Sequence, residues 1–460
     1  MNTFAVKGNL IHAPVFGEIE TQFGSLLEVG QDGNISSVIS SDDPELVSRE
    51  SYYRGTRNLL ELSDNEFLLP GLVDTHVHAP QWPQLGKALH LPLHDWLQEY
   101  TFPLEARYAD LGFANQVYSS LVETLIANGT TTALYFGTIH IEATKRLADI
   151  CLNLGQRALI GKVVMDNPEQ CPDYYRDRST SVGLNETYEL IDYVSSANGN
   201  ACRRVLPVLT PRFIPSCTDE MLSGLGKIAS ETGCHIQTHC SESDWQHRYV
   251  IERHGCHDAQ SLDSFGLLQP NTVLAHANFI NDDDMVLISS KSSAVAHCPL
   301  SNFYFSNAVL PVRKLIDSAV DLGLGTDISG GFNPSIFNAC AMAVTSSRAL
   351  EEGVDAALPA NERRRRNMRI DFKEAFWMAT TGGGRALDLK IGMLRPEYAM
   401  DAIVVDASIE ESNLKVWKDL DSTEDILQKI IHNAHRTNIT KVWVQGKQIK
   451  GQWGIPCDAY

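Results

Sequence analysis

Apolar residues recur along the middle of the chain as short β-like runs, separated by tens of residues in which apolar positions follow a helical period. Eight such runs are visible, and in chain order they read FLLPGLVDTHVH, TTALYFG, RALIGKVVM, RVLPVLTPRF, HIQTHC, TVLAHA, AVAHCP and LGLGTD. Strands that alternate with helices eight times predict an α/β fold, a parallel (β/α)8 barrel of TIM type. Functional groups are then expected at the carboxyl ends of the strands.

Both ends of the chain follow a different pattern, in which short β-like pieces are broken by Gly, Asn and Asp turns. The N-terminal pieces are TFAVKGNLIHA, GSLLEVG and NISSVIS, and the C-terminal ones are MDAIVVDAS and the hairpin-like VWVQGKQIKG. We predict that residues 1–66 and 391–460 fold together as a small β-rich unit beside a barrel formed by residues 67–390.

Composition narrows the classes of function. The chain has 460 residues, of which 43% are hydrophobic and 21% charged, which is typical of a globular protein with a large core. Its net charge of −19 disfavours nucleic acid as a partner, because binding to a phosphate backbone needs an excess of clustered cations. No apolar run reaches membrane-spanning length, and the ten cysteines form no CxxC pair. A cytoplasmic protein with reduced thiols and no membrane partner is expected.

The candidate chemistry lies where the predicted strands end. In an extended segment alternate side chains share a face, so His76 and His78 point the same way. His239, His276 and Asp327 end the fifth, sixth and eighth runs. Strand ends of a barrel converge on one mouth, and a nitrogen-rich set with one carboxylate suits zinc, with Fe²⁺ or another divalent ion as alternatives. Such an ion lowers the pKa of bound water and supplies a nucleophile.

Two further residues are candidates for moving protons. Glu242 follows His239 in the loop THCSE, where a carboxylate can take a proton from water and pass it to a substrate nitrogen. His276 could orient the water or bind the metal, and the sequence leaves both roles open. Lys162 lies inside the third run, while the fourth ends near Arg212, so a lysine bridging two metals is disfavoured and one metal is predicted.

Several motifs follow one another in a single order over nearly the whole chain, among them PGLVDTHVHAPQ, NGTTTALYFGTIH, TPRF, THCSE, LAHA, HCPLSN and GLGTDISGG. In these motifs the chain resembles the amidohydrolase superfamily, and within it the enzymes that deaminate guanine. The resemblance implies a barrel flanked by a β-sandwich built from both termini, one zinc ion per subunit, a homodimer, and hydrolysis of guanine to xanthine and ammonia.

The resemblance also implies roles for individual residues. It assigns the metal ligands to His76, His78, His239 and Asp327, the proton shuttle to Glu242, and a place beside the water to His276. It assigns purine binding to Gln81, Arg212 and Phe213, and the chemistry of these side chains agrees. Arginine can donate to the guanine carbonyl, glutamine can donate and accept, and phenylalanine can cover the ring. Trp82 is expected to line the same pocket, unless it packs in the core instead.

Three alternatives stay open. Another purine, an adenosine derivative, a pyrimidine or a triazine would use the same metal set, although HAPQ combined with PRF favours guanine. A two-metal hydrolase of cyclic amides would need the bridging lysine that the fourth strand end lacks. A catalytically inactive scaffold is disfavoured because every predicted ligand is present.

Overall fold

The computed structural model describes residues 3–417 and 419–451. Its strands are β1 (Phe4–Val15), β2 (Glu18–Val29), β3 (Ile35–Ile39), β4 (Leu59–Glu61), β5 (Glu66–Pro70), β6 (Leu72–His78), β7 (Thr130–Phe136), β8 (Arg157–Gly161), β9 (Val163–Val164), β10 (Val205–Pro211), β11 (His235–Cys240), β12 (Thr272–His276), β13 (Ala294–His297), β14 (Asp321–Leu324), β15 (Ala402–Asp406), β16 (Ile439–Val444) and β17 (Lys447–Lys450).

Most helices lie between the strands, and several more form in the long loops and near the C-terminus. They are α1 (Leu46–Gly55), α2 (Leu93–Trp96), α3 (Phe102–Ala106), α4 (Leu111–Ala127), α5 (Ile141–Leu154), α6 (Thr180–Ser196), α7 (Asp219–Thr232), α8 (Asp244–His254), α9 (Asp258–Ser264), α10 (Asp282–Ser290), α11 (Pro299–Ser301), α12 (Val312–Asp317), α13 (Ile336–Glu352), α14 (Ala360–Arg363), α15 (Phe372–Trp377), α16 (Gly383–Ala386) and α17 (Thr423–Asn433). Within the described ranges, no helix is both long and apolar enough to cross a membrane.

The parallel barrel predicted from the apolar runs is confirmed. Its strands pair in the order β6, β7, β8, β10, β11, β12, β13 and β14, with the short β9 added on β10. Hydrogen bonds between the first and last strands close the ring: Thr75 Oγ1 donates to the carbonyl of Leu324, and the backbone N–H of Asp327 donates to the carbonyl of His76. All carboxyl ends therefore face one mouth, which collects the predicted side chains.

The two termini form one sheet, as the turn-broken pattern predicts. Its strands lie in the order β17, β16, β15, β5, β1, β2 and β3, with β4 paired to β1. The predicted hairpin is present, because β16 and β17 pair antiparallel. The division at residues 66/67 and 390/391 stays a prediction, and parts of the predicted units (residues 1–2, 418 and 452–460) lie outside the described residues.

A glycine separates the sheet from the barrel within the first apolar run. Residues 66–70 form β5 of the terminal sheet and residues 72–78 form β6 of the barrel, with Gly71 between them. A Cβ atom at Gly71 would lie 2.1 Å from Oγ1 of Thr131, so the close approach of the two segments requires glycine here. Leu69 and Leu72, on either side, belong to one buried cluster, so the two units share a core.

Candidate metal centre and adjoining cavity

Four buried side chains converge at the mouth of the barrel. His76 and His78 extend from β6, His239 extends from β11, and Asp327 follows β14. The Nε2 atoms of His78 and His239 lie 2.9 Å apart. Oδ1 of Asp327 lies 3.2 Å from Nε2 of His76 and 3.6 Å from Nε2 of His78. The structure therefore brings together the residues that the sequence singles out as metal ligands.

The donor atoms are arranged to suit a cation. Nδ1 of His239 lies 2.6 Å from the carbonyl oxygen of Arg212, which can only accept, so Nδ1 carries the proton and the Nε2 lone pair faces the cluster. Nε2 of His76 is buried and has no hydrogen-bond partner among the described residues. A buried imidazole nitrogen without a partner, beside a second one whose lone pair faces the cluster, is a donor set that fits a metal ion.

Burial sets the protonation states of the cluster. Desolvation, reinforced by neighbouring positive charges, holds the pKa values of His76, His78 and His239 well below the usual value. The neutral imidazoles that result are the form that binds metal. Desolvation and the nearby charge of Asp327 raise the pKa of Glu242 well above its usual value, so this carboxyl group readily holds a proton.

A chain of hydrogen bonds orients His276. Nδ2 of Asn278 donates to the backbone carbonyl of Glu242, and Oδ1 of Asn278 accepts from Nδ2 of Asn302. Oδ1 of Asn302 thus faces Nδ1 of His276 at 3.0 Å and accepts a hydrogen bond from the Nδ1–H group. The Nε2 lone pair of His276 then points towards Glu242 Oε1 at 3.7 Å and Asp327 Oδ2 at 3.9 Å. A ligand role and a water-orienting role both fit this position.

A buried aspartate ties the first and last strands together behind the metal ligands. Oδ1 of Asp74 accepts from the backbone N–H groups of His76 and Thr326, and Oδ2 accepts from Thr326 Oγ1 at 2.5 Å. Desolvation raises the pKa of Asp74 to about 7. The backbone of Asp327 itself has a φ of 47°, and that of His276 a φ of 71°, so both side chains leave strained left-handed positions that the surrounding bonds hold.

A cavity opens directly beside the cluster. Three of the predicted purine-binding residues lie in its wall: Gln81, Arg212 and Phe213. The fourth, Trp82, packs away from the cavity, which is the second of the two positions that the sequence left open. Its indole N–H donates to Oγ of Ser120, and its ring packs against a core cluster behind the wall. The chain turns sharply in a 3-10 segment after His78, so adjacent side chains point in different directions.

Other wall residues were not found by sequence reasoning. Apolar side chains from the segment after β6 and from the loop after β13 complete the cavity, namely Leu93, Trp96, Leu97 and Phe305. Glu105 stands directly behind the wall, with its carboxylate on Arg212 and Gln81. The segment LPLHDWLQEYTFPLEARY carries a helix-like apolar period, which shows burial but not what the buried face contacts.

Lys162 is an ion-paired residue and takes no part in the cluster, in keeping with the expectation that it does not bridge two metals. Its buried Nζ lies 2.6 Å from Oδ1 of Asp177 and 3.1 Å from Oε2 of Glu186. The two carboxylates account for its charge, which agrees with one metal rather than two.

Comparison with known proteins places this geometry in a family. Residues 67–449 match the sequence profile of the amidohydrolase family. A probable guanine deaminase of Schizosaccharomyces pombe is 37% identical over 96% of this chain and 83% of its own length. The guanine deaminase of Dictyostelium discoideum is 35% identical, over 96% of this chain and 97% of its own length.

Solved structures agree with the sequence relatives. The crystal structure of a guanine deaminase from C. acetobutylicum, with guanine bound in its active site, superposes with a TM-score of 0.86. The two proteins share 31% identity, and the superposition covers 97% of this chain and all of the other. An E. coli guanine deaminase gives a TM-score of 0.85 at 25% identity, over 98% of this chain and all of that one.

Proposed function

This chain belongs to the amidohydrolase family of metal-dependent hydrolases, and we propose that it hydrolyses guanine to xanthine and ammonia with one bound zinc ion. The observation that carries the proposal is the junction of two sites. A buried cluster of three imidazoles and a carboxylate opens onto a cavity whose wall presents a guanidinium, an amide and a phenyl ring. That combination provides ligands for a metal ion and, next to them, groups that can recognise a flat purine.

His76, His78, His239 and Asp327 would hold the ion. Their three nitrogens and one oxygen favour zinc, although Fe²⁺ or another divalent ion would find the same donors. When bound, the metal supplies a nucleophile by lowering the pKa of water to about 7. The residues around it then have to move protons and hold the ring.

Glu242 moves the proton. Its carboxylate takes a proton from the water and delivers it to the ring nitrogen beside the amino-bearing carbon of guanine, which makes that carbon a better electrophile. The raised pKa of Glu242 supports this role, because the carboxyl group must hold the proton between the two transfers. The oxygen of the water bonds to that carbon, and its remaining proton passes through Glu242 to the amino group. The carbon–nitrogen bond then breaks, ammonia leaves, and the oxygen remains as the new carbonyl of xanthine.

Arg212, Gln81 and Phe213 would hold the base. Arg212 donates to the ring carbonyl, Gln81 donates and accepts at the ring edge, and Phe213 covers one face. Phe213 lines the same cavity as His239, and the two rings lie in an edge-to-face arrangement with their centroids 6.2 Å apart.

A homodimer and a cytoplasmic location belong to the same proposal. The dimer is carried by the family resemblance, and the location by cysteines whose sequence shows no CxxC pairing, which suits a reducing compartment. Light scattering of the purified protein and cell fractionation test these two statements directly.

A substrate panel tests the proposal. Purified zinc-loaded protein is mixed with guanine, adenine, cytosine and a triazine, and ammonia release is measured for each. We expect turnover of guanine far above that of the other three rings. Turnover of a different ring alone would keep the metal chemistry but overturn the roles given to Gln81 and Arg212.

A further inference from the structure

A buried carboxylate behind the cavity wall connects the two polar groups that face the substrate. Glu105 lies in α3 and is fully buried. Its Oε2 accepts from Nη1 of Arg212 at 2.6 Å, and its Oε1 accepts from Nη2 of Arg212 at 3.2 Å and from Nε2 of Gln81 at 3.1 Å. One carboxylate therefore contacts both residues without itself lining the cavity.

The paired hydrogen bonds fix the plane of the Arg212 guanidinium. A carboxylate that accepts from both terminal nitrogens of arginine defines the position and the orientation of the fork. The ring of Phe102 adds a second constraint, since Arg212 Cζ lies 5.1 Å from its centroid. The N–H groups that Glu105 leaves unused are then held in one direction. Glu105 also supplies the negative charge that a buried arginine requires.

Glu105 also decides which way the Gln81 amide points. Nε2 of Gln81 donates to Glu105, while Oε1 of Gln81 accepts from the backbone N–H of Ser329. Turning the amide over would set its oxygen against a carboxylate and its nitrogen against an N–H group, so both contacts would become repulsive. One N–H and one lone pair of Gln81 remain in a fixed arrangement for a ligand.

We propose that Glu105 is a positioning residue for substrate recognition, which sets the donor and acceptor pattern that Arg212 and Gln81 present to the purine. This inference rests on the proposed function of the site. Glu105 contacts neither the proposed substrate position nor the metal ligands, so it should affect the binding of the ring more than the breaking of the carbon–nitrogen bond. Its removal is therefore expected to change KM more than kcat.

Glu105→Gln tests the proposal. The amide cannot accept from all three N–H groups, so we expect KM for guanine to rise about 10- to 100-fold, with kcat within a few-fold and metal content unchanged. Glu105→Asp keeps the negative charge and is therefore more certain to fold than Glu105→Gln. Its shorter side chain cannot reach both Arg212 and Gln81, so KM for guanine should again rise more than kcat falls. An unchanged KM in either folded variant would overturn the proposal.

The matched control is a second buried arginine–carboxylate pair at the opposite end of the barrel. Arg157, which begins β8, donates from Nε and Nη2 to the carboxylate of Asp401. Asp401→Asn removes a comparable buried charge far from the cavity, so it should lower stability and leave KM for guanine unchanged. An equal rise of KM in Asp401→Asn would mean that Glu105 acts only through general stability, which would contradict the proposal.

A double-mutant cycle tests whether Glu105 acts through Arg212. If it does, Glu105→Gln should lower kcat/KM by a smaller factor in the Arg212→Lys background than in the wild type, because the two-bonded arginine–carboxylate pair is already lost and mainly the Gln81 contact remains. Losses that multiply would overturn the proposal. Failure of the wild-type protein to deaminate guanine is a different result, and it would contradict the proposed function instead.

Discussion

At the level of single residues, Glu242 is the group whose chemistry differs most from that of an ordinary surface glutamate. It is buried, and desolvation raises its pKa well above the usual value. Glu242→Gln should keep the metal, because the four proposed ligands are other residues, but kcat should fall by about 10² to 10⁴ as general acid–base catalysis is lost. Glu252→Gln, on the exposed face of α8, is the matched control. Full activity of Glu242→Gln would exclude the shuttle role.

Asn302 controls the tautomer of His276, and its loss should be visible in turnover. Asn302→Leu has nearly the same shape but offers no acceptor to Nδ1 of His276. We expect kcat to fall by about 10- to 100-fold, as is usual when the partner of a metal-site imidazole is removed. Asn413→Leu removes a similar Asn–His contact on the surface and should have no effect. Equal activities of the two variants would show that the hydrogen bond from His276 to Asn302 does not affect turnover.

Functional residues can be predicted from sequence when their own type and spacing are unusual. They cannot be predicted when their role depends on contacts with residues that are distant in sequence. Two histidines separated by one residue, and histidines at the ends of apolar runs, can be recognised without a structure. Glu105 could not be recognised, because its partner Arg212 is more than a hundred positions away and nothing local distinguishes it from a solvated glutamate. The position of Trp82 stays open in the sequence for a related reason, since being next to Gln81 does not fix the direction of a side chain once the chain leaves the strand.

At the level of elements, Gly71 joins the terminal sheet to the barrel. Gly71→Ala would place a methyl group 2.1 Å from Thr131 Oγ1, and the resulting overpacking should lower the free energy of unfolding by about 1–3 kcal/mol. Gly55→Ala, at the end of α1, has open space around the new methyl group and should be neutral or slightly stabilising. Urea denaturation of both variants measures the difference, and equal midpoints would contradict the role of Gly71.

The strands were predictable because each apolar run is short and lies between helical periods, which is the pattern of a barrel whose strands are buried on both faces. The exception is instructive. FLLPGLVDTHVH reads as one run, yet the structure divides it between two sheets at Gly71. A run length cannot show which sheet a strand joins, because pairing depends on partners that are distant in sequence, here β1 and β15 for β5.

At the level of the whole molecule, Asp401 connects the C-terminal part of the chain to the barrel. Its carboxylate accepts from Arg157 and from the backbone N–H of Gln445. Asp401→Asn leaves the buried Arg157 without its counter-charge and should lower the free energy of unfolding by about 3–5 kcal/mol. Glu397→Gln, which breaks the exposed pair with Lys390, is the control and should leave the denaturation midpoint unchanged. Equal midpoints would show that the two units do not depend on this pair.

We propose that guanine hydrolysis depends on a metal ion bound in the buried cluster. The most direct measurement is ammonia release from guanine by the purified protein before chelation, after chelation, and after zinc is returned, with metal content measured at each stage. We expect the activity to disappear with the metal and to be restored by one zinc ion per chain. Guanine turnover that persists in metal-free protein, or zinc-loaded protein that releases no ammonia from guanine, would contradict this proposal.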